Sequence, residues 1–142
     1  MGQARRLTVP GRFECLAQIA EFVTQAAREA GLSDDDVFQV EMAVDEACSN
    51  IIEHAYAEHG GDIQLECTTP QPGQLNVVIY DHGQPFDPAG IPQPRLGDTM
   101  SPDQLNEGGM GLYFMRKLMD EVRFEFRADQ GNVLYMSKRR KG

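Results

Sequence analysis

The chain has 142 residues, of which 41% are hydrophobic and 25% charged, so it is long enough and apolar enough for one globular domain with a buried core. Its 13 Lys and Arg against 22 Asp and Glu give a net charge of −9. This charge argues against nucleic acid or an anionic membrane surface as the main partner, because both would repel the chain.

No apolar run approaches the roughly 18 residues that a membrane helix requires, and no signal-peptide region opens the chain. The three cysteines, Cys15, Cys48 and Cys67, form no CxxC pair and no metal-binding pattern, so we expect buried reduced thiols. These features predict a cytoplasmic protein.

The first predicted elements are a short edge strand over residues 5–9, ended by Pro10, and an amphipathic helix over residues 13–30, followed by Gly31 as a C-cap. Ser33 is then expected to cap a second helix, whose first turn carries three aspartates that complement the helix dipole.

This second helix, predicted over residues 37–56, organises the chain. Apolar residues at helical spacing define one face: Val40, Val44, Ala47, Ile51 and Ala55. The opposite face carries Glu46, Asn50, Glu53, His54 and Ala57. A carboxylate and an amide four residues apart lie close enough to act on one ligand: the amide oxygen suits Mg²⁺ and the carboxylate can deprotonate a hydroxyl. The alternative is an ordinary solvated helix face.

A β-hairpin is predicted next, with strands at residues 63–67 and 75–80, a turn at 69–73, and the second strand the more buried. It ends at Asp81-His82-Gly83. A carboxylate there could accept a hydrogen bond from the amino group of adenine, and glycine allows close approach of a ligand; an ordinary turn is the alternative.

Residues 85–107 are rich in proline and show no period, which is typical of a lid, a binding loop or disorder. Gly108-Gly109-Met110-Gly111 then opens a helix that carries Leu112, Met115, Leu118 and Met119 on one side and ends near Asp120. Free N–H groups at such a helix start favour phosphate, although a flexible hinge explains the glycines equally well.

A second hairpin is predicted at residues 122–126 and 133–136, with a turn at 129–132, and the basic tail 138–141 is expected to be a solubilising terminus. The order β, α, α, β, β, lid, α, β, β predicts an α/β (α+β) two-layer sandwich with a mostly antiparallel sheet.

This order of motifs resembles the GHKL ATPase superfamily, with its N, G1 and G2 boxes. The amino-acid sequence of residues 45–56, 107–112 and 118–122 is similar to that of the bacterial anti-sigma-factor serine/threonine kinases, and the resemblance spans nearly the whole chain. It implies a Bergerat ATP-binding fold, that is, a mixed, mostly antiparallel sheet with helices on one face. It also implies a single histidine-kinase-like ATPase domain over residues 1–142, with an ATP lid at about 85–108.

The resemblance implies a role for each matching residue. Glu46 would be the catalytic base, and Asn50 the Mg²⁺ ligand. Asp81 would bind the adenine amino group of ATP, beside Gly83. The phosphates would meet the G2 box, namely Gly108, Gly109, Gly111 and Leu112. His54 would line the phosphate pocket, or be a surface histidine. The implied partners are a STAS-domain anti-sigma-factor antagonist as substrate, a sigma factor held in competition, and a second copy of the chain in a homodimer.

The chain departs from this family pattern beside the G2 box. Asn106-Glu107 precede Gly108 where some relatives carry a cation, and Arg95 is the one basic residue of the predicted lid. No clear G3 box is present, although Gly131-Asn132 stand near its place, and no phospho-acceptor histidine helix is found. Two alternatives therefore stay open: a nucleotide-binding adaptor that sequesters a partner without kinase activity, and a scaffold that binds no nucleotide.

Overall fold

The computed structural model describes residues 4–55, 61–82, 115–127 and 131–140. Five strands are present: β1 Arg5–Pro10, β2 Asp62–Gln71, β3 Gln74–Asp81, β4 Glu121–Arg127 and β5 Gly131–Arg139. The helices are α1 Leu16–Glu29, α2 Asp34–Asn50 and α3, which is described over residues 115–118. Their order along the chain is the predicted one.

The strands form one sheet in the order β1-β2-β3-β5-β4, and every pairing among the described strands is antiparallel. β1 lies at the edge, as predicted, and Pro10 ends it at a position where an edge strand tolerates a missing donor. The predicted mostly antiparallel sheet is confirmed, and the described part contains no parallel pair.

The strand register decides which side chains face the helices. Alternate residues of the central strands are buried and join residues of α1 and α2 in one core cluster: Ile63, Leu65, Cys67, Leu75, Val77 and Ile79. Ile63 pairs with Asp81, and Asp81 pairs with Asn132, so both polar residues lie on this covered face. The fold is therefore the predicted two-layer sandwich, with polar groups at one end of its core.

The start of α1 differs from the prediction. Residues Phe13–Cys15 form a 3₁₀ turn, and regular α-helix begins at Leu16. Phe13 is 54% exposed, so it is not one of the buried core residues that its helical spacing predicted. Arg12, which precedes the turn, gives no side-chain cap, so nothing local sets the α-helix start at Phe13.

α2 begins at Asp34, because the Ser33 side chain accepts a hydrogen bond from the Asp36 N–H at 3.2 Å, as the capping prediction required. Regular α-helix ends at Asn50, and a π-helical segment, Ile51–Ala55, follows. Ile52 is buried, and Ile51, which the helical spacing selected, is half-buried and packs against the core. Val40, Val44 and Ala47 are buried as predicted.

Both hairpins are longer than the sequence indicated. β2 and β3 extend through most of the predicted turn at 69–73, leaving only Pro72 and Gly73 between them, with a register shift between Thr68 and Gln71. β3 is the more buried strand, as expected. Residues that composition alone assigned to a loop are thus part of the paired strands.

The end of the chain corrects a second expectation. Gly131 and Asn132 belong to β5 and not to a turn, and β5 continues to Arg139. Lys138 is only 1% exposed on the helix-covered face of the sheet. The interpretation of the basic tail as a solubilising terminus is therefore wrong for Lys138, whose alternation with Leu134 and Met136 places it on the covered face of the sheet, opposite Leu75.

Several predicted features lie outside the described residues. They are Gly83, the lid at about 85–108, the G2 residues Gly108, Gly109, Gly111 and Leu112, and the end of the predicted second helix at Tyr56. His54 belongs by its backbone to the π-helical segment, and its side chain lies outside the described part. Within the described ranges, no helix combines the length and the apolar character needed to cross a membrane.

Candidate active site

Glu46 and Asn50 form a hydrogen-bonded pair near the end of α2. Both residues are half-buried, whereas Glu53 on the same helix face is exposed. The Asn50 side chain hydrogen-bonds the Glu46 carboxyl group. An amide can donate to a carboxylate only through its nitrogen, so Asn50 Oδ1 is the atom left for a cation. The π-helical segment starts at the next residue, and such segments are frequent at functional sites.

The surroundings of Glu46 make its carboxyl group a better proton acceptor than an ordinary glutamate. Partial burial raises the pKa of Glu46, and the negative charges of Asp45 and Glu53 raise it further, while the hydrogen bond from Asn50 lowers it. The net shift of the pKa is upward. A raised pKa is what general-base catalysis of a hydroxyl near neutral pH requires.

Asp81 ends β3 with its side chain 5% exposed on the helix-covered face. Asn132, the residue paired with it on β5, donates from Nδ2 to Asp81 Oδ1 at 2.9 Å. Sequence reasoning singled out Asp81 but not Asn132 as its partner. The link depends on the β3–β5 register, which no local pattern around Asn132 reveals.

The electrostatic surroundings of the Cys48 thiol indicate that the end of α2 lies close to the end of β3 in one buried region. Burial raises the pKa of the Cys48 thiol most, and the carboxylates of Asp45 and Asp81 raise it further. Cys48 and Cys67 are buried free thiols as predicted, whereas Cys15 is only half-buried. The Asp81 carboxylate therefore lies close to the inner face of α2, the helix that presents Glu46 and Asn50.

Gly131 allows β5 to cross close to the end of β3. Its φ of +79° lies in the left-handed region, and a Cβ added there would overlap the Asp81 carbonyl oxygen and lie 2.9 Å from His82 Nδ1. Glycine is thus required twice at this position, by the backbone angle and by the space.

Gly131→Ala is expected to destabilise the chain by more than the roughly 1–2 kcal/mol that a left-handed alanine costs, because the overlap with Asp81 adds to it. Urea unfolding measures the difference. Gly73→Ala is the matched control, because Gly73 has a similar φ of +83° but an added Cβ would meet Arg140 Cβ only at an ordinary 3.5 Å. Equal losses of unfolding free energy in the two variants would show that the backbone at Asp81 moves away from the added methyl group at no energetic cost.

The donor set suits a magnesium ion held together with nucleotide phosphates. Mg²⁺ usually takes one or two protein oxygens and completes its octahedron with phosphate oxygens and water. Asn50 Oδ1 can supply such an oxygen. In the part of the chain that the structure describes, no group of three or more His, Cys, Asp or Glu side chains gathers around a common point.

Comparison with known proteins places this geometry in a family. Residues 9–138 match the model of the histidine kinase-like ATPase domain. The serine-protein kinase RsbW of Halalkalibacterium halodurans is 36% identical over 135 residues, which cover 93% of this chain and 80% of that protein. The RsbW of Bacillus licheniformis is 37% identical over 134 residues, with 91% and 81% covered.

Two solved structures share the fold at lower identity. The RsbU and RsbW domains of Rv1364c from Mycobacterium tuberculosis align with a TM-score of 0.67 and 17% identity, covering 97% of this chain and 32% of that one. The blue-light activated histidine kinase EL346 of Erythrobacter litoralis aligns with a TM-score of 0.55 and 21% identity over 87% of this chain and 40% of that one. This chain therefore corresponds to less than half of either protein.

The match to the domain model over most of the chain, together with relatives that exceed 30% identity over most of their length, settles the assignment. This chain belongs to the histidine kinase-like ATPase family and, within it, to the family of the serine-protein kinase RsbW.

Proposed function

We propose that this chain transfers the γ-phosphate of Mg-ATP to a serine of a STAS-domain anti-sigma-factor antagonist, and that in an exclusive partner state it holds a sigma factor. Membership of the RsbW family supports the coarser statement, an ATP-dependent protein serine kinase. The observation that supports transfer to a hydroxyl group is the half-buried Glu46–Asn50 pair, in which the pKa of the carboxyl group is raised. The antagonist and the sigma factor are proposed as partners from the resemblance to the anti-sigma-factor kinases.

Each residue has a defined task in this mechanism. Glu46 accepts the proton of the substrate serine as the serine oxygen attacks the γ-phosphorus; the bond from that phosphorus to the β–γ bridging oxygen breaks, and ADP leaves. The raised pKa of Glu46 favours this proton transfer. Asn50 donates to Glu46 through Nδ2, which orients the carboxylate, and offers Oδ1 to the magnesium ion. When bound, the magnesium ion neutralises phosphate charge. Phosphoryl transfer demands little beyond such positioning and charge neutralisation, so this small set of groups is sufficient.

At the other end of the nucleotide, Asp81 accepts a hydrogen bond from the adenine amino group. Asn132 donates from Nδ2 to Asp81 Oδ1 at 2.9 Å and thereby orients the carboxylate group. In the same proposal, Gly83 leaves room for the base, and backbone N–H groups of the G2 residues Gly108, Gly109, Gly111 and Leu112 receive the phosphates. His54 lines the phosphate pocket.

The working state in this proposal is a cytoplasmic homodimer, with an exposed helix or strand edge as the interface between the two copies. The net charge of −9 makes nucleic acid and anionic membranes unfavourable direct partners. Sedimentation of the purified chain at several concentrations tests the dimer, and a single monomer boundary throughout would contradict it.

A nucleotide-binding adaptor without kinase activity is the second candidate. It is favoured by the residues before the G2 box, Asn106-Glu107, which supply no cation for the γ-phosphate, and by Arg95 as the one basic residue of the predicted lid. Such an adaptor would bind ATP and a sigma factor while leaving the antagonist unmodified.

Calorimetric titration with ATP, with and without Mg²⁺, tests the nucleotide site. We expect binding that depends on Mg²⁺ in the unaltered chain and an affinity at least tenfold lower in Asn50→Ala, because the magnesium ligand is lost. Glu41→Ala, at another half-buried position of α2, is the matched control and should bind as the unaltered chain does. Magnesium-independent binding of equal affinity in all three proteins would remove Asn50 as a ligand.

Transfer of labelled γ-phosphate to a purified STAS-domain antagonist then separates the kinase from the adaptor. The label should be stable to acid and labile to base, as a phosphoserine is, whereas a phosphohistidine loses its label in acid. ATP binding without any labelled antagonist would favour the adaptor.

A further inference from the structure

The most unusual buried group outside the Glu46 and Asp81 pairs is the ammonium of Lys138. This side chain lies in β5 on the helix-covered face of the sheet, is 1% exposed and is the largest of the fully buried side chains in the described residues. Its Nζ donates to Gln39 Oε1 at 2.5 Å and to the Leu118 carbonyl oxygen at 2.6 Å. One cation therefore joins β5, α2 and the end of α3.

The contact with Leu118 has a specific effect on α3. Carbonyl groups in the last turn of a helix have no partner within the helix, and a cation beside them is stabilised by the helix dipole. The segment after α3 is also fixed to β5, because Asp120 N–H donates to the Ser137 carbonyl at 2.9 Å and Asp120 Oδ2 accepts from Arg139 N–H at 2.7 Å. The carboxyl end of α3 is thus held from the strand that carries Lys138.

Packing alone does not account for a lysine at this position. Burial of an ammonium group is unfavourable unless hydrogen bonds compensate for the lost hydration, and an apolar side chain of similar length would fill the same space without that requirement. The ammonium group adds directional contacts, because its short hydrogen bonds to Gln39 on α2 and to Leu118 on α3 fix the separation of these two residues.

We propose that Lys138 is a positioning residue of the nucleotide site, locking α3 to α2. The inference rests on the proposed function, in which α2 carries the Glu46–Asn50 pair and the phosphates meet Gly108, Gly109 and Gly111, a few residues before α3 in the sequence. If α3 shifts relative to α2, the phosphate-binding glycines and the magnesium ligand Asn50 no longer lie at the right distance to act on the same nucleotide. The adenine end, held by Asp81 and Asn132, is separate from this link.

The test compares ATP with adenosine in Lys138→Met. ATP affinity should fall about tenfold or more, while adenosine, which lacks phosphates, should compete with nearly unchanged affinity. The preference for ATP over adenosine is therefore expected to drop by about tenfold. A purely structural role of Lys138 would weaken both ligands or neither.

Val77→Ala is the matched control, because it removes buried apolar atoms from the same face of the sheet. The hydrogen bonds of Lys138 to Gln39 and Leu118 do not involve Val77 and stay in place. It is expected to lower the urea midpoint while keeping the preference for ATP. Gln39→Met removes the acceptor on α2 and leaves the lysine in place, so it carries the same test if Lys138→Met does not fold.

An unchanged preference in Lys138→Met and Gln39→Met, with the unaltered chain binding ATP, would overturn the positioning role and leave the proposed function standing. No ATP binding by the unaltered chain would instead overturn the proposed function, and the inference with it.

Discussion

Replacement of Glu46 by glutamine is expected to slow phosphoryl transfer by about 10²- to 10⁴-fold, the usual contribution of a general base, while ATP affinity changes little. Glutamine keeps the size of the side chain and an oxygen that can accept the hydrogen bond from Asn50, but it cannot take up the serine proton. Single-turnover transfer to the antagonist gives the rate, and calorimetry gives the affinity. Unchanged transfer would remove Glu46 as the base.

The pH profile offers a sharper form of the same prediction. Because the pKa of Glu46 is raised, the acid limb of the transfer rate should lie above the range of an ordinary glutamate. The exposed Asp45 contributes to that shift without being the base, so Asp45→Asn should move the acid limb to lower pH and retain activity. An acid limb that stays in place would show that Asp45 does not act on the group that limits the rate.

The raised pKa of Glu46 also has a sign for stability. A carboxyl group whose pKa is higher in the folded chain than in the unfolded chain binds protons more readily when folded. Its contribution to stability is full below the unfolded pKa and is lost as pH rises through the folded pKa. At neutral pH, Glu46→Gln should therefore unfold at a urea concentration no lower than the unaltered chain, which separates lost catalysis from lost folding.

Local patterns predicted the order of elements because each carries its own signal. The Ser33 cap, the alternation of Ile63, Leu65 and Cys67, and the short edge strand before Pro10 all appear where sequence placed them. These signals depend on neighbours within a few positions of the chain.

The features that sequence could not supply depend on contacts between distant positions. Asn132 orients Asp81 through a pairing 51 residues apart, and Lys138 reaches Gln39 across 99 residues. From composition alone, Lys138 resembled part of a frayed basic end, and only the length of β5 revealed its burial. The change from α- to π-helix after Asn50 likewise follows no capping signal.

The second large effect is expected at the base-binding end, where Asp81→Asn should reverse much of the preference for ATP over GTP. A hydrogen bond to a charged group contributes about 1.5–3 kcal/mol, so ATP affinity should fall by roughly ten- to a hundredfold. Competition between the two nucleotides in one binding assay measures the ratio directly.

Asn132 determines the direction of this change. Its Nδ2 donates to Asp81 Oδ1, so an amide introduced at position 81 keeps that bond only by turning its own oxygen toward Asn132. In the proposed site, the new NH₂ group takes the place of the second carboxylate oxygen, so it would oppose the amino group of adenine and could donate to the carbonyl oxygen of guanine. GTP should therefore gain affinity as ATP loses it.

Asn132→Ala is the matched variant, because it leaves the Asp81 carboxylate intact but removes the group that orients it. We expect a smaller loss of ATP affinity than in Asp81→Asn and no gain for GTP, since no donor has been introduced. Equal ATP-to-GTP ratios in the unaltered chain and in Asp81→Asn would exclude Asp81 from base recognition. A gain for GTP in Asn132→Ala would mean that Asn132, and not Asp81, selects the base.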